Sequence, residues 1–161
     1  MNLTAYIARQ IREVHFGGNW TDVNLKDTLE GVSWQQSIAK IDHLNTIGAL
    51  VFHINYFTAA VVKVLEGGPL TSSDKYSFDL PPIQSEEDWE NLKNKNWDDA
   101  ERLAKLVEKF PTERLEEDFT DKKYESYYKN IQGMGKIIWK QFLCTALIGM
   151  AVVHHHPKDV L

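Results

Sequence analysis

Six histidines and one cysteine are the side chains best suited to metal or nucleophile chemistry in this sequence. His53 is the most informative. It sits inside the run Val51-Phe52-His53-Ile54-Asn55-Tyr56-Phe57, where a charged imidazolium would be poorly solvated. Two readings fit it. One is a neutral histidine hydrogen-bonded to a tyrosine or a backbone carbonyl. The other is a metal ligand projecting into a helix bundle, where ligands from facing helices converge. The first is the simpler. His15 ends a helical stripe beside Phe16 and Gly17-Gly18, a place where the helix dipole favours an imidazole. His43 lies among Lys40, Asp42 and Asn45 and is expected to be exposed. His154, His155 and His156 are consecutive. On a helix such neighbours diverge by about 100° and form no single ligating face. They read as surface residues, as adventitious metal binders or as an appended remnant. Cys144, between Leu143 and Thr145, reads as a packed core thiol, since apolar burial raises a thiol pKa and withholds the thiolate.

Other chemical signatures are missing from the sequence. It holds no metalloprotease helix motif, CxxC pair, phosphate-binding loop, dinucleotide fingerprint or nucleophile elbow. The Glu-x-x-His pairs of diiron bundles are absent too. Acidic runs at 86–88, 98–101 and 116–118 read as solvated faces.

The elements that must position these residues are helical. Leu3, Ile7, Ile11 and Val14 form one stripe, ended by Gly17-Gly18-Asn19. A short turn of helix is expected over Asn24–Leu29, and Ser33-Trp34-Gln35-Gln36 has the form of a capping box. A long second helix should run from about Thr46 to Glu66, on the stripe Ile47, Leu50, Val51, Ile54, Val61 and Leu65, until Gly67-Gly68-Pro69 stops it. Leu70 to Gln84 lacks helical periodicity and reads as a loop crossing the domain. Ser85 with Glu86, Glu87 and Asp88 opens a third helix, buried through Trp89, Leu92, Ala100, Leu103, Val107 and Phe110 and stopped by Pro111. Thr112 to Asp121 is acidic and irregular. A fourth helix is expected from about Lys123 into the 150s. Four long helices with apolar faces and no alternating run predict an all-α four-helix bundle, one domain over 1–161.

Composition agrees. The chain has 161 residues, 43% apolar and 25% charged, which suits one globular domain rather than a disordered segment. A net charge of −5 argues against nucleic acid and anionic membrane surfaces as partners. One cysteine allows no intrachain disulfide and fits a reducing compartment. Met1–Gln10 has no signal-peptide apolar core, so a cytoplasmic location is expected. Ile47–Leu65 is interrupted by His53, Asn55 and Lys63, and Ile137–Val153 by Lys140, Gln141 and Gly149. Both read as core helices rather than membrane spans.

From Phe16 to about Gly133 the chain carries Phe16-Gly17-Gly18-Asn19-Trp20, Val23-Asn24-Leu25-Lys26 and Val32-Ser33-Trp34. Ala49-Leu50-Val51-Phe52-His53-Ile54-Asn55-Tyr56, Gly67-Gly68-Pro69-Leu70 and Ser77-Phe78-Asp79 follow, then Pro81-Pro82-Ile83-Gln84-Ser85, Glu87-Asp88-Trp89 and Tyr127-Tyr128-Lys129-Asn130. Together these stretches resemble the DinB-like superfamily of four-helix bundles, and within it a small bacterial branch of unestablished activity. The resemblance implies a divalent-metal site, usually of three histidines: one on the second helix and two, four residues apart, on the last. Some relatives use that metal to activate a small thiol in transferase or isomerase reactions. His53 falls at the second-helix position. Laid without gaps from Asn130, the last helix has Ile137 and Gln141 where the other histidines belong. Isoleucine cannot ligate, and glutamine is a poor substitute for imidazole toward zinc or nickel. A lone histidine does not hold a catalytic metal, which normally has three protein ligands.

The sequence therefore supports a DinB-like bundle lacking the usual metal site, with a pocket around His53, Tyr56 and Gln141 at the bundle centre that binds a small molecule. An alternative is a metal-dependent thiol transferase or hydrolase with a rearranged zinc or nickel site, in which His15 or one of His154–His156 joins His53. A third reading makes Ile137–Val153 a self-association surface, giving a homodimer.

Overall fold

A computed structural model describes residues 2–20 and 23–133. Its regular elements are helices: α1 (Leu3–Phe16), α2 (Leu25–Thr28), α3 (Trp34–Ser37), α4 (Ile47–Leu65), α5 (Glu86–Lys109) and α6, helical from 127 to 133, where the described residues end. The β pairing among the described residues is one isolated bridge, Asp118 to Ser126. The all-α expectation holds.

Local chemistry sets the helix ends. Asn2 caps α1, its side chain accepting from the Thr4 N–H at 3.1 Å. Gly17 closes α1 at φ 95°, ψ −173°, backbone that only glycine adopts readily. A Cβ there would also lie 2.9 Å from Asn24 Nδ2. Asn24 in turn caps α2, accepting from the Asp27 N–H at 3.0 Å. Ser33 and Gln36 form the expected capping box, with both reciprocal bonds present. Thr46 caps α4 through the Ala49 N–H at 3.2 Å. Ser85 caps α5 through the Asp88 N–H at 3.1 Å. Asp88 accepts from the Gln84 N–H and the Ser85 hydroxyl, each at 2.9 Å, and these bonds hold its carboxyl below the usual range.

α5 is the shared wall of the described core, with α1 along one side and α4 along another. Ile7, Ile11 and Val14 of α1, Leu50, Val51, Ile54 and Val61 of α4, and Trp89, Leu103 and Val107 of α5 form one buried cluster. Trp89 is completely buried, and its indole N–H donates to the Val32 carbonyl at 2.7 Å, fastening the α2–α3 segment to α5. Charge pairs rim the seams. Arg12 reaches Glu101 at 3.1 Å and Glu108 at 3.1 Å, and Arg102 reaches Glu66 at 2.6 Å. α4 is a described helix with the length and mean hydropathy (1.5) of a membrane span. More than half of it is buried inside the protein, as in a core helix.

The start of the last helix differs from expectation. Lys122–Tyr124 is a single 3₁₀ turn, and Glu125 follows at φ 61°. The chain then doubles back: Phe119 N–H donates to the Glu125 carbonyl (2.9 Å), Tyr127 N–H to Glu117 (3.0 Å) and Tyr128 N–H to Leu115 (2.8 Å). These pairings with the acidic 112–121 segment postpone the helix to 127. The greater part of the expected fourth helix, including the proposed dimer surface Ile137–Val153, lies outside the described residues.

Candidate functional site

α4 presents two adjoining stripes to the connection 70–84, which folds back over it. One contains His53 and Phe57, the other Phe52, Tyr56, Ala59 and Lys63, at i, i+4, i+7 and i+11. Gly48 lets the connection close tightly over the first turn of α4. A Cβ there would stand 3.0 Å from Ile83 Cδ1 and 3.2 Å from the Ser37 carbonyl.

His53 is half-buried. Its Nδ1–H donates to the Ser77 carbonyl at 3.3 Å. Its ring stacks on Phe78 at 4.1 Å and 13° and meets Phe57 edge-on at 5.0 Å. Burial lowers its pKa, opposed by the Ser77 bond and by the charge of Asp74. The imidazole is thus neutral near neutral pH. Donation from Nδ1 leaves the lone pair on Nε2, the tautomer that a metal ligand or a general base needs. The backbone-carbonyl partner is the one expected in the simpler reading of this residue.

Tyr56 is fastened to the same connection. Its hydroxyl accepts from the Ser73 N–H at 2.9 Å and donates to the Ser73 carbonyl at 3.1 Å. Both capacities of the phenol are therefore engaged by one backbone residue. Beside it runs an open groove of about 310 Å³. Phe52, Tyr56, Ala59 and Ala60 line it with apolar surface, and Lys63 and Lys95 stand at its polar margin. Lys63 Nζ donates to Thr71 Oγ1 at 3.0 Å. Lys95 pairs with Asp99 at 2.6 Å, and Asp99 also accepts from Asn55 Nδ2 at 3.0 Å. His53 does not line the groove. Gln141 lies outside the described residues.

His15 occupies a different environment. It is completely buried, its Nδ1–H donates to the Ile11 carbonyl at 2.8 Å, and its ring lies 5.8 Å from Phe16. Phe16 in turn meets Trp97 edge-on at 6.0 Å. Burial pushes the His15 pKa down to about 4. The polar neighbours and rings around His15 are not those around His53, so the structure does not bring the two histidines into one site. His43 is exposed, as expected. Among the described residues no three His, Cys, Asp or Glu side chains gather to hold a metal ion. The described residues therefore do not by themselves fit the metal centre that the resemblance implies. Ile137, Cys144 and His154–His156 lie outside them.

Sequence reading missed the groove and its lysines, although the Phe52–Tyr56–Ala59–Lys63 spacing was open to view. It also missed Asn96, a completely buried amide on the apolar stripe of α5, legible as a polar interruption between Trp89 and Ala100. Comparison of the chain with known protein families, with curated proteins and with solved structures gives no match.

Proposed function

We propose that this is a DinB-like bundle protein that binds a small organic anion in the groove between α4 and the connection 70–84, without metal chemistry. The observation carrying the proposal is the groove itself: an aromatic and aliphatic floor from one stripe of α4, with ammonium groups at its edge. Such a surface suits a ligand with a flat or short apolar body and a carboxylate end. The phenol of Tyr56 is engaged by Ser73, so it supplies ring surface rather than a reactive hydroxyl. Lys63 is the cation best placed to meet the ligand, because its partner in the fold is a neutral hydroxyl, whereas Lys95 already faces Asp99.

Benzoate and its neutral counterpart benzamide are suitable probes, followed through the methyl resonances of Ala59 and Ala60. Benzoate is expected to shift these methyls in the wild-type protein and to bind about tenfold more weakly to Lys63→Glu, a change of ~1.4 kcal/mol. Benzamide should be indifferent to that substitution. Unmoved methyls with both probes, or an equal loss for both, would overturn the proposal.

A second reading, a metal-dependent thiol transferase or hydrolase, draws on one observation: the Ser77 carbonyl leaves Nε2 of His53 as the free ring nitrogen. Elemental analysis of protein purified without a metal column, beside His53→Ala, separates the two. Metal-free chemistry requires the same low metal content in both. Stoichiometric zinc or nickel that disappears in His53→Ala would favour the second reading.

A further inference from the structure

α5 carries Glu90, Lys93, Asn94 and Trp97 at i, i+3, i+4 and i+7, so one face of the helix presents all four. That face lines a cavity of about 420 Å³, whose other wall comes from the segment 26–31. Small-molecule sites ordinarily enclose ~300–1,000 Å³. The Trp89 indole bond to the Val32 carbonyl fastens the segment to α5 directly after this wall. Leu29 and the half-buried Trp97 give the cavity apolar surface. Its charged groups divide into engaged and free. Lys93 Nζ pairs with Glu90 at 2.7 Å and stands 5.3 Å from the centre of the Trp89 ring. Asp27 accepts from Asn24 Nδ2 at 2.6 Å. The exposed Lys26 ammonium and Glu30 carboxylate have no ion pair or side-chain hydrogen bond among the described residues. They are four apart, but α2 ends at Thr28, so the pairing that a continuous helix would favour at that spacing is not made. One free cation and one free anion therefore line the same cavity as an indole ring.

We propose that this cavity binds a zwitterion, a free α-amino acid with an apolar side chain, its carboxylate met by Lys26, its ammonium by Glu30 and its side chain by Leu29 and Trp97. Charge selects the class. A simple anion would face three carboxylates, those of Asp27, Glu30 and Glu90, against the two ammonium groups of Lys26 and Lys93. A simple cation would leave Lys26 unmatched and be repelled by it. A zwitterion answers both free groups and adds no net charge, so opposite signs meet at each end. The Glu90–Lys93 pair is already made and need not be broken. The rings of Trp97 and of an aromatic side chain can pack edge-on or offset, which adds to the area they bury. This cavity shares no lining residue with the groove over α4, so the two sites are separate.

Three probes with one ring and different charges test the site on the full chain: L-phenylalanine, phenethylamine, which lacks the carboxylate, and 3-phenylpropionate, which lacks the ammonium. Binding is read from the indole N–H resonance of Trp97. L-Phenylalanine is expected to shift it saturably, and each one-charge analogue to bind about fivefold more weakly. Lys26→Gln should weaken L-phenylalanine and 3-phenylpropionate but not phenethylamine. Glu30→Gln should weaken L-phenylalanine and phenethylamine but not 3-phenylpropionate. Both side chains are exposed and unpaired among the described residues, so neither substitution removes a contact that holds the fold. A Trp97 resonance unmoved by L-phenylalanine, equal affinity for the three probes, or a substitution that weakens all three alike would overturn the proposal. Movement of the Ala59 and Ala60 methyls without Trp97 would place the probe in the groove over α4 and overturn it equally.

Discussion

Acidification should weaken this fold through His15, and the size of the effect follows from its burial. The imidazole, near the end of α1, is completely buried, and its pKa falls from 6.5 to about 4 on folding. A depressed histidine pKa means that the folded state prefers the neutral ring and the unfolded state takes up the proton more readily. The stability tied to this preference is fully present above pH 6.5 and is lost as pH falls from there toward 4. Across that interval, at ~1.4 kcal/mol per pH unit, the loss approaches about 3 kcal/mol. A loss of that order is a large share of the stability of an ordinary domain. Urea unfolding followed by far-UV circular dichroism at pH 7, 6, 5 and 4.5 measures it, with His15→Leu alongside. His53, lowered in the same direction, and the carboxylates Asp88 and Glu101, lowered by their hydrogen bonds, titrate in both proteins and cancel in the difference. The stability of wild type relative to His15→Leu should fall steadily as pH drops below 6.5. A difference that stays flat from pH 7 to 4.5 would refute the buried, neutral His15 described here.

Two backbone-level effects can be checked in the same way. Gly17→Ala should destabilise by ~2–3 kcal/mol, because it combines a glycine-only backbone at φ 95° with a Cβ pressed against Asn24, the cap of α2. Gly31→Ala, at φ 73° with open space around its Cβ, should lose only about 1 kcal/mol; chemical denaturation that ranks them equally would contradict this account. Tyr56→Phe removes both bonds to Ser73 and should lower stability by ~1 kcal/mol. Amide exchange should quicken at Ser73 while Ile54 in the α4 core stays protected, and an unaltered rate at Ser73 would show that the hydroxyl does not hold the connection.

The helices were legible because their ends are local events. Ser33, Ser85, Gly17, Gly67 and Pro111 each act within a few residues, through a cap, a positive φ or a missing N–H. The start of the last helix was misread at Lys123 for the opposite reason. What delays it is a return pairing between 115–119 and 125–128, which periodicity does not register. The connection 70–84 carries no α-helix, as its lack of periodicity indicates, and holds a single 3₁₀ turn at Asp74–Tyr76, but its path was hidden. Ser73 meets Tyr56 across 17 residues and Ser77 meets His53 across 24, and no spacing rule links such pairs.

The two readings of His53 share more than the sequence suggested. A structural histidine needs a partner for one ring nitrogen, and the Ser77 carbonyl supplies it. A metal-ligating histidine needs the same partner, because the backbone bond fixes the tautomer and aims the other nitrogen. Burial of the ring and its stacking on Phe78 serve both roles as well, holding the imidazole neutral and oriented. What separates the readings is therefore not how His53 is held but what meets Nε2. A single nitrogen donor is too little for a bound transition metal, and among the described residues no group of three His, Cys, Asp or Glu side chains gathers to hold one. The neighbouring stripe, by contrast, already joins apolar surface to a cation within one groove, the combination that the proposed organic-anion site calls for. That difference in completeness among the described residues is the physical ground on which the ligand-binding proposal rests.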